Sequence, residues 1–386
     1  MMSNPIYCAL GALCMHPIEK LINDCYVEKA KHILKQQKHL IKIGIVGSYG
    51  KTSTKNILYH LLSEKYYCLK SEKSYNNRMG NTLMITRYLK RVHEVMIAEM
   101  GSDHLGELKK LMDFIEPNYV IITAIGNQHL KTFKSQERII KEKLTPLRML
   151  SEQDYAFLNL DNPYLYANRN LGKAHKIYFG EHRDADYRLC DIVMNEKGSH
   201  FNIAFQNQLY GFETTLLGYY NLMNLCGAIA CAHTLGVRFE GMQKIVPQIK
   251  AIEHRLESRN YGKYTLIDNA YNSNVNSFQN TLEVLGRIKK YKILITPGII
   301  EVGEEARVNH RLIQKVKGKV DEVVIVGYHN RSPLCEGLHE VGFENFHLAD
   351  TMEEALSYVD QLNLNDYVVC IENDIDKVIM NQHEKK

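Results

Sequence analysis

A glycine turn near the start of the chain carries a lysine and two hydroxyl side chains, in the order Gly47-Ser48-Tyr49-Gly50-Lys51-Thr52-Ser53. Glycines let a backbone curl so that successive N–H groups point at phosphate oxygens. In such a loop Lys51 would neutralise the outer phosphates of a nucleotide, and the Thr52 hydroxyl would bind its magnesium ion. The spacing fits GxxGK[ST] rather than the longer GxxxxGK[ST], because Ile45 takes the place of the first glycine. We therefore predict a nucleotide-binding loop, the alternative being a plain glycine turn with an incidental lysine.

Three further side chains lie where a parallel-sheet ATPase keeps its metal-binding groups. Glu99 ends the run VMIAE, His129 follows the run YVIITAIGNQ, and Lys143 lies further on in a predicted helix. Ligands of such sheets gather outside the carboxyl ends of the strands. Taken alone, Glu99 is more often a solvated strand end and His129 a loop histidine. Together with the glycine turn, all three predict a nucleotide and metal site.

The glycine turn needs a strand before it and a helix after it. Ile41–Val46 is a short β-branched run, typical of a buried parallel strand, and Lys51–Leu62 is predicted to be a helix. Further strand-like runs, separated by helical stretches, are Val95–Ala98, Tyr119–Ala124 and Tyr155–Leu158. This alternation predicts an α/β layered domain with a mostly parallel sheet.

The second half of the chain predicts a separate doubly wound unit. Residues 176–216 favour a small antiparallel β addition, and Asn221–Leu235 favours a helix. A new alternating series then begins near Tyr264. Its predicted strands are Tyr264–Ile267, Lys292–Thr296, Glu322–Val326 and Tyr367–Ile371, with helices at Ser277–Lys290 and Thr351–Gln361.

The composition is typical of a globular protein of two or three domains. The chain has 386 residues, of which 45% are hydrophobic and 24% charged, and its formal net charge is +4. These values exclude disordered, collagen-like and multi-span membrane chains. A charge of +4 at this length does not indicate a nucleic-acid partner. The nine cysteines, an odd number without the two-residue spacing of a zinc ribbon, predict reduced thiols and a cytoplasmic location.

The first forty residues predict a short helical and apolar segment. Ile6–Met15 is apolar but much shorter than the ~20 residues of a membrane-spanning helix. No basic residue precedes it, so we expect no signal peptide. Lys29–Lys42 is rich in lysine with interleaved apolar residues, which predicts an amphipathic helix packed on the following domain. The alternative expectation is a peripheral membrane contact through residues 1–40.

These features belong to a series of motifs that resembles the Mur ligase family, ATP-dependent enzymes that add amino acids or dipeptides to cell-wall precursors. Within the family, the series is most similar to the members that add D-alanyl-D-alanine. The motifs occur in family order over about residues 41–386: GSYGKTSTK, NNRMG (Asn76–Gly80), EMGSDHLGEL (Glu99–Leu108), TAIGNQHLKTFKSQERIIKEK (Thr123–Lys143), GYYNLMN (Gly218–Asn224), HRLE (His254–Glu257) and DNAYNSN (Asp268–Asn274). One such motif is weak evidence, whereas seven in order are specific.

The resemblance implies an ADP-forming peptide ligase that uses ATP and Mg²⁺. ATP phosphorylates a substrate carboxylate, and an incoming amine then displaces phosphate to give an amide. By resemblance Lys51 holds the ATP phosphates, Thr52 and Glu99 bind one magnesium ion, and His129 helps to bind a second. Lys143 matches a family lysine that is carbamylated, which turns a cation into an anion able to support magnesium.

The resemblance also implies roles in the second half of the chain and an order of domains. Asn221 and Asn224 match a pair on the adenine side, Arg255 matches an arginine that reaches the nucleotide, and Asn269 stands at the ribose contact. The implied architecture is a short N-terminal segment (1–40), a central P-loop ATPase domain with a mostly parallel sheet (41–253) and a smaller Rossmann-like C-terminal domain (254–386). The implied substrates are small molecules or peptide precursors, with no nucleic acid.

The departures from the family pattern lie mainly in the domain that holds the incoming amine. Asp268-Asn269 stands where relatives usually have Asp-Asp, and Glu372-Asn373-Asp374 stands where the D-alanyl-D-alanine-adding members usually carry Lys-Gly-Ser-Arg. The segment Thr296–Glu305 differs as well. Only about forty residues precede the glycine turn, where muropeptide ligases carry a UDP-binding domain of roughly a hundred residues. The open alternatives are a ligase for a non-UDP, lipid-linked or non-muropeptide substrate, and a nucleotide-binding regulatory relative with weak activity.

Overall fold

The structure is a computed structural model that describes residues 4–72, 74–195, 197–271, 274–299 and 304–373. The chain divides into two compact units. The first consists of Met1–Arg188 and Leu225–Arg238, and the second of Leu189–Asn224 and Phe239–Lys386. Parts of three motifs named above, residues 272–273, 300–303 and Asp374, lie outside the described residues.

The first unit contains eight helices and six strands among its described residues, and one further helix and strand cross the division. The helices are α1 (Asn4–Gln36), α2 (Lys51–Leu62), α3 (Arg78–Tyr88), α4 (Glu107–Ile115), α5 (Leu130–Phe133), α6 (Gln136–Lys143), α7 (Thr145–Met149) and α8 (Pro163–Ala167). The strands are β1 (Ile41–Val46), β2 (Cys68–Lys70), β3 (Val95–Met100), β4 (Tyr119–Ile122), β5 (Tyr155–Asn159) and β6 (His175–Gly180). The crossing elements are β7 (Tyr187–Asn195) and α9 (Tyr219–Thr234).

The sheet of the first unit is parallel, as the alternation of strands and helices predicts. Its strand order is β2-β3-β1-β4-β5-β6. Val46, the last residue of β1, pairs with Met100 of β3 and with Ile122 of β4. The carboxyl ends of these three strands therefore meet at one edge, where open α/β sheets bind ligands.

The C-terminal part of the long helix α1 packs on the core of the first unit. Val27, Ala30 and Leu34 are buried in that core, at the i, i+3, i+7 spacing of one helix face. The predicted amphipathic helix over Lys29–Lys42 is thus correct in kind but wrong in extent, because α1 ends at Gln36 and β1 already begins at Ile41. No helix among the described residues has both the length and the apolar character needed to cross a membrane.

The second unit combines an antiparallel hairpin with a second, mainly parallel sheet. The elements are β8 (Gly198–Phe205), β9 (Gln208–Thr214), α10 (Phe239–Ile245), a 3-10 turn (Val246–Gln248), β10 (Glu257–Asn260), β11 (Tyr264–Asn269), α11 (Val275–Arg287), β12 (Lys292–Thr296), α12 (Glu305–Ile313), a 3-10 turn (Gln314–Val316), β13 (Glu322–Val326), α13 (Arg331–Glu340), β14 (Phe346–Ala349), α14 (Met352–Gln361) and β15 (Tyr367–Glu372). The second sheet has the order β10-β11-β15-β12-β13-β14, and among the strands that the structure describes only β10 pairs antiparallel within it. The strands of this sheet are buried and rich in β-branched residues, because they pack into two separate hydrophobic clusters, one around Leu282 and one around Val369.

The predicted antiparallel addition over residues 176–216 is confirmed only for its second part. β8 and β9 form an antiparallel hairpin, with Phe201 opposite Phe212. β6, in contrast, pairs in parallel with β5 and extends the first sheet. The first four residues of β6 are exposed or half-buried and only its last two are buried, so the strand lacks the continuous burial of the central parallel strands.

Candidate functional site

The glycine turn has a backbone that strongly favours glycine at two positions. Gly50 is the N-terminal cap of α2 and has a φ of 80°, in the left-handed region that side chains disfavour. At Gly47, an added Cβ would lie 2.1 Å from Oγ1 of Thr123. The pattern GxxG therefore reflects one turn conformation and one close approach of the backbone to the segment after β4.

The turn is anchored to the residues that follow β4. The Ser48 N–H donates to the carbonyl oxygen of Ala124 at 2.7 Å, and Ser48 Oγ accepts from the Gly126 N–H at 3.0 Å. The Thr123 hydroxyl donates to the carbonyl oxygen of Tyr49. These bonds fix the loop before any ligand binds, which lowers the cost of ordering it around phosphates.

Lys51 is folded over the glycine turn. Its Nζ donates to the carbonyl oxygens of Gly47 at 2.8 Å and Ser48 at 3.3 Å. The ammonium group thus lies against the loop whose backbone is shaped to take phosphate oxygens. The role of Lys51 as the cation that faces the phosphates stays a prediction.

Glu99 lies in a buried cluster with two side chains of α2. The Thr52 hydroxyl donates to Glu99 Oε1 at 3.1 Å, and Lys55 Nζ donates to Oε2 at 3.0 Å. The side chains of Lys55 and Glu99 are both 1% exposed. A hydroxyl and a carboxylate in contact are the hard oxygen donors that Mg²⁺ takes alongside nucleotide phosphates and water. The residues present therefore fit a magnesium ion.

Lys55 is not among the predicted site residues, although its spacing from Thr52 along the helix points to the site. It follows Thr52 by three residues on α2, so both side chains lie on one helix face towards Glu99.

The substitution Lys55→Met should lower the free energy of unfolding by ~3–5 kcal/mol, because it leaves the Glu99 carboxylate buried without its cation. Urea unfolding of the full chain measures this. The double variant Lys55→Met/Glu99→Gln should regain most of the loss, and a single variant as stable as the parent would contradict this argument.

Lys143 is buried, and its ammonium group is bonded to the segment after β3. Nζ donates to the carbonyl oxygen and to Oγ of Ser102, both at 3.0 Å. Burial lowers the pKa of Lys143 to about 7, with a smaller contribution from the positive charge of Lys51. At neutral pH a large part of Lys143 is therefore a neutral amine, the form that can react as a nucleophile.

Glu142, the neighbour of Lys143, ties the same helix to the same segment. Its Oε2 accepts from the Gly106 N–H at 2.8 Å and its Oε1 from the Leu108 N–H at 2.7 Å. These N–H groups lie at the start of α4, where backbone donors have no partner within the helix. Glu142 is thus a positioning residue for Lys143 that the residue types alone did not single out.

His129 is linked to the segment after β3 by a carboxylate. Its Nε2 lies 3.1 Å from Oδ1 of Asp103, and Thr132 donates to the backbone oxygen of Asp103 at 2.6 Å. His129 has a φ of 60°, a left-handed conformation that is uncommon outside glycine. Residues 99–103 therefore lie in contact with Thr52, Lys143 and His129.

The remaining predicted site residues lie in the second unit. Asn221 and Asn224 are three residues apart on α9, and Asn221 Nδ2 donates to the carbonyl oxygen of Leu217 at 2.9 Å. The Arg255 guanidinium lies over the ring of Tyr271, 4.4 Å from its centroid. The structure thus groups Gly47–Ser53, Glu99, His129 and Lys143 in the first unit, and Asn221, Asn224, Arg255 and Asn269 in the second.

The Asn269 side chain is bonded within the second unit on every side. Its Nδ2 donates to Glu372 Oε2 at 2.7 Å, to Ser277 Oγ at 3.0 Å and to Thr281 Oγ1 at 3.1 Å. Its Oδ1 accepts from the Leu256 N–H at 3.2 Å. The two departures from the family pattern, Asn269 and Glu372, are therefore one contact between a neutral donor and a buried carboxylate.

The substitution Asn269→Asp tests this contact. It removes the donor and sets a second carboxylate against Glu372, so we expect the free energy of unfolding at neutral pH to fall by ~3 kcal/mol or more. The loss should shrink in acid, where one of the two carboxyl groups takes up a proton. Urea unfolding at two pH values measures both effects. Adding Glu372→Gln should restore stability, since the amide can donate to the new aspartate.

Comparisons with known proteins identify the family of this chain. The family model described as "Mur ligase middle domain" matches residues 45–232, and the one described as "Mur ligase, glutamate ligase domain" matches residues 254–371. The UDP-N-acetylmuramoyl-tripeptide–D-alanyl-D-alanine ligase of Bacillus subtilis is 29% identical over 294 residues, which are 74% of this chain and 62% of that protein. The Escherichia coli ligase of the same name is 25% identical over 300 residues, covering 76% of this chain and 66% of that protein. The chain thus spans less than two thirds of the length of these relatives.

Solved structures show the same fold. MurF from Acinetobacter baumannii superposes with a TM-score of 0.83 at 23% identity, covering 94% of this chain and 81% of that one. The Thermotoga maritima MurF ligase in complex with ADP gives a TM-score of 0.81 at 22% identity, with coverages of 94% and 83%. The two family domains occur in family order, and the glycine turn, Glu99 and Lys143 lie in the first of them. The chain belongs to the Mur ligase family.

Proposed function

We propose that the protein is an ATP- and Mg²⁺-dependent peptide ligase that forms an acyl phosphate on a carboxylate and joins it to an amino acid or dipeptide. The observation that supports this most strongly is the cluster in the first unit, where Lys51 covers the glycine turn and Thr52 contacts the buried Glu99. A phosphate loop, a lysine and a hydroxyl–carboxylate pair suit phosphoryl transfer from a nucleotide.

In this proposal the chain's residues act mainly by positioning and by neutralising charge. Thr52 and Glu99 would hold magnesium, which neutralises phosphate charge as the γ-phosphoryl group moves to the carboxylate. Lys51 stabilises the negative charge on the transferred group. The anchored turn excludes alternative loop conformations, so that little reorganisation is needed when the nucleotide binds.

We further propose that Lys143 is carbamylated in the active protein. Carbamylation adds CO₂ to a neutral amine with loss of one proton, so it requires the deprotonated form that burial favours here. The Ser102 hydroxyl, at hydrogen-bond distance from Nζ, could then donate to the carbamate. His129 would help to hold a second magnesium ion in this arrangement.

The names of the relatives suggest the substrates. We propose UDP-N-acetylmuramoyl-tripeptide as the carboxylate and D-alanyl-D-alanine as the amine, in cytoplasmic cell-wall synthesis.

The test is phosphate release from ATP by the purified chain with Mg²⁺ and bicarbonate, against a panel of carboxylates and amines. Release only when both partners are present, with a product heavier by the dipeptide, is expected. Turnover with another pair instead would assign a different substrate, and no turnover with any pair would contradict the ligase proposal.

The exposed part of α1 supports a peripheral membrane contact, which we propose as a secondary property. Leu21, Ile22 and Tyr26 are exposed apolar side chains on α1, and Lys20 beside them is exposed as well. Apolar and basic side chains together favour binding to an anionic lipid surface. We expect the chain to co-sediment with vesicles that contain anionic lipid, and the double variant Leu21→Ser/Ile22→Ser to bind them several-fold more weakly. Equal binding by both proteins would exclude this contact.

A further inference from the structure

A histidine and a buried aspartate form a pair at the carboxyl end of β11. His254 Nδ1 lies 2.7 Å from Oδ2 of Asp268, whose side chain is 1% exposed, whereas His254 is 30% exposed. Asp268 Oδ1 accepts from the Ala270 N–H at 3.1 Å. The pair lies at the edge where open α/β sheets bind ligands.

The burial of Asp268 distinguishes this pair from other histidine–carboxylate contacts in the described chain. His129, His200 and His310 contact carboxylates whose side chains are 60%, 71% and 61% exposed. An exposed pair gains little, because water screens it and competes for its hydrogen bonds. A buried carboxylate holds its imidazole partner in one orientation.

The backbone around His254 is also held in an unfavourable conformation. His254 and Leu256 have φ values of 60° and 53°. The carbonyl oxygen of His254 accepts from the Tyr271 N–H at 3.1 Å, and the Leu256 N–H donates to Asn269 Oδ1 at 3.2 Å. Left-handed non-glycine residues persist where the surrounding bonds over-determine them, often at functional sites.

The tautomer of His254 follows from its partner. An ionised carboxylate only accepts hydrogen bonds, so in the neutral ring Nδ1 carries the proton and Nε2 carries the lone pair. Nε2 lies 3.7 Å from Oε1 of the exposed Glu253, which is beyond hydrogen-bond distance. Glu253 also lies 4.0 Å from Arg259, whose guanidinium is bonded to Glu257 at 2.8 Å. This is the arrangement of a carboxylate-oriented general base.

Resting on the ligase reaction proposed above, we propose that His254 is the general base that deprotonates the incoming amine and that Asp268 orients it. The amine arrives as an ammonium ion, which has no lone pair for attack. Nε2 takes one proton from it, and the amine lone pair then forms the C–N bond at the acyl phosphate carbon. The C–O bond to phosphate breaks, and phosphate leaves with that electron pair and takes up the second proton that the nitrogen loses. The imidazolium then returns the first proton to water.

The test separates formation of the acyl phosphate from its aminolysis. Hydroxylamine is largely neutral at neutral pH and traps acyl phosphates as hydroxamates without needing a base. With ATP, Mg²⁺ and the carboxylate, the full-length His254→Gln variant should form hydroxamate at the parental rate. With the amino acid or dipeptide, its ligation rate should fall ~10²–10⁴-fold. Asp268→Asn should change the two rates in the same way as His254→Gln. The asparagine amide donates to Nδ1, so the ring proton moves to Nε2, which then has no lone pair to act as the base.

The matched control is His200→Gln, another histidine paired with a carboxylate, whose exposed side chain lies on β8 in the same unit. It should leave both rates unchanged. Equal loss of hydroxamate and peptide formation in His254→Gln would overturn the general-base role, as would an unchanged ligation rate. A parental protein that forms neither product with any carboxylate would instead refute the ligase reaction itself, and His254 would lose its role with it.

Discussion

Replacing Lys143 by alanine is expected to lower ATP-dependent ligation by ~100-fold, and short carboxylic acids such as acetate are expected to restore part of it. A group that orients or supports a metal centre contributes on this scale. The alanine removes the buried Nζ that contacts Ser102 and leaves a space in which a small carboxylate can replace the carbamate. The measurement is phosphate release with and without added acid.

Lys141→Ala is the matched control for this substitution. Lys141 belongs to the same helix, but its side chain is exposed. We expect parental activity from it and no response to acetate. Parental activity in Lys143→Ala without any additive would refute the carbamate role.

The same lysine predicts how activity depends on pH. Burial lowers the pKa of Lys143 to about 7, so the reactive amine predominates above that pH and the ammonium form below it. Addition of CO₂ to Lys143 should therefore fail as the pH falls through about 7, and ligation should fall with it. Rate profiles with and without added bicarbonate measure this, and bicarbonate should raise activity on the alkaline side.

Lys51→Ala is the second substitution with a large expected effect. It removes the cation that lies against the glycine turn, and we expect ATP turnover to fall at least ~10²–10³-fold, the scale of losing one preorganised charge-stabilising donor. The folded state should survive, since the bonds of Ser48 and Thr123 still anchor the turn. Steady-state phosphate release measures the effect.

Lys109→Ala provides the control for Lys51. Lys109 is an exposed lysine of α4 that pairs with Asp113 one helical turn away. Such a pair contributes little to stability, so turnover should not change. Undiminished ATP turnover in Lys51→Ala would show that the glycine turn does not bind the phosphates.

Local patterns account for what could be predicted from the sequence. The glycine turn, its strand and its helix are consecutive in the chain, and the structure places Ile41–Val46 and Lys51–Leu62 within the predicted bounds. The parallel direction of the strands could be predicted as well, because strands and helices alternate along the chain. The sequence order also groups Lys143 with Glu99 and His129, and the family resemblance then gives it a role.

Contacts between distant residues account for what could not be predicted. Lys143 meets Ser102, 41 residues away, and Asn269 meets Glu372, 103 residues away. No spacing rule connects such pairs, because only the packing of the elements brings them together. The pairing of Asn269 with Glu372 also shows why neither departure could be interpreted alone. Asn269 supplies the neutral donor and Glu372 supplies the carboxylate that accepts from it, so each departure is explained only together with the other.

The most direct test of the central claim is the origin of one oxygen atom in the released phosphate. If the carboxylate is phosphorylated by ATP, one of its oxygens leaves with phosphate when the amine attacks. With an acceptor carboxylate labelled with oxygen-18, mass spectrometry should find one labelled oxygen in each phosphate released during ligation. Unlabelled phosphate, released as the amide product accumulates, would contradict an acyl phosphate intermediate and the mechanism built on Lys51, Thr52 and Glu99.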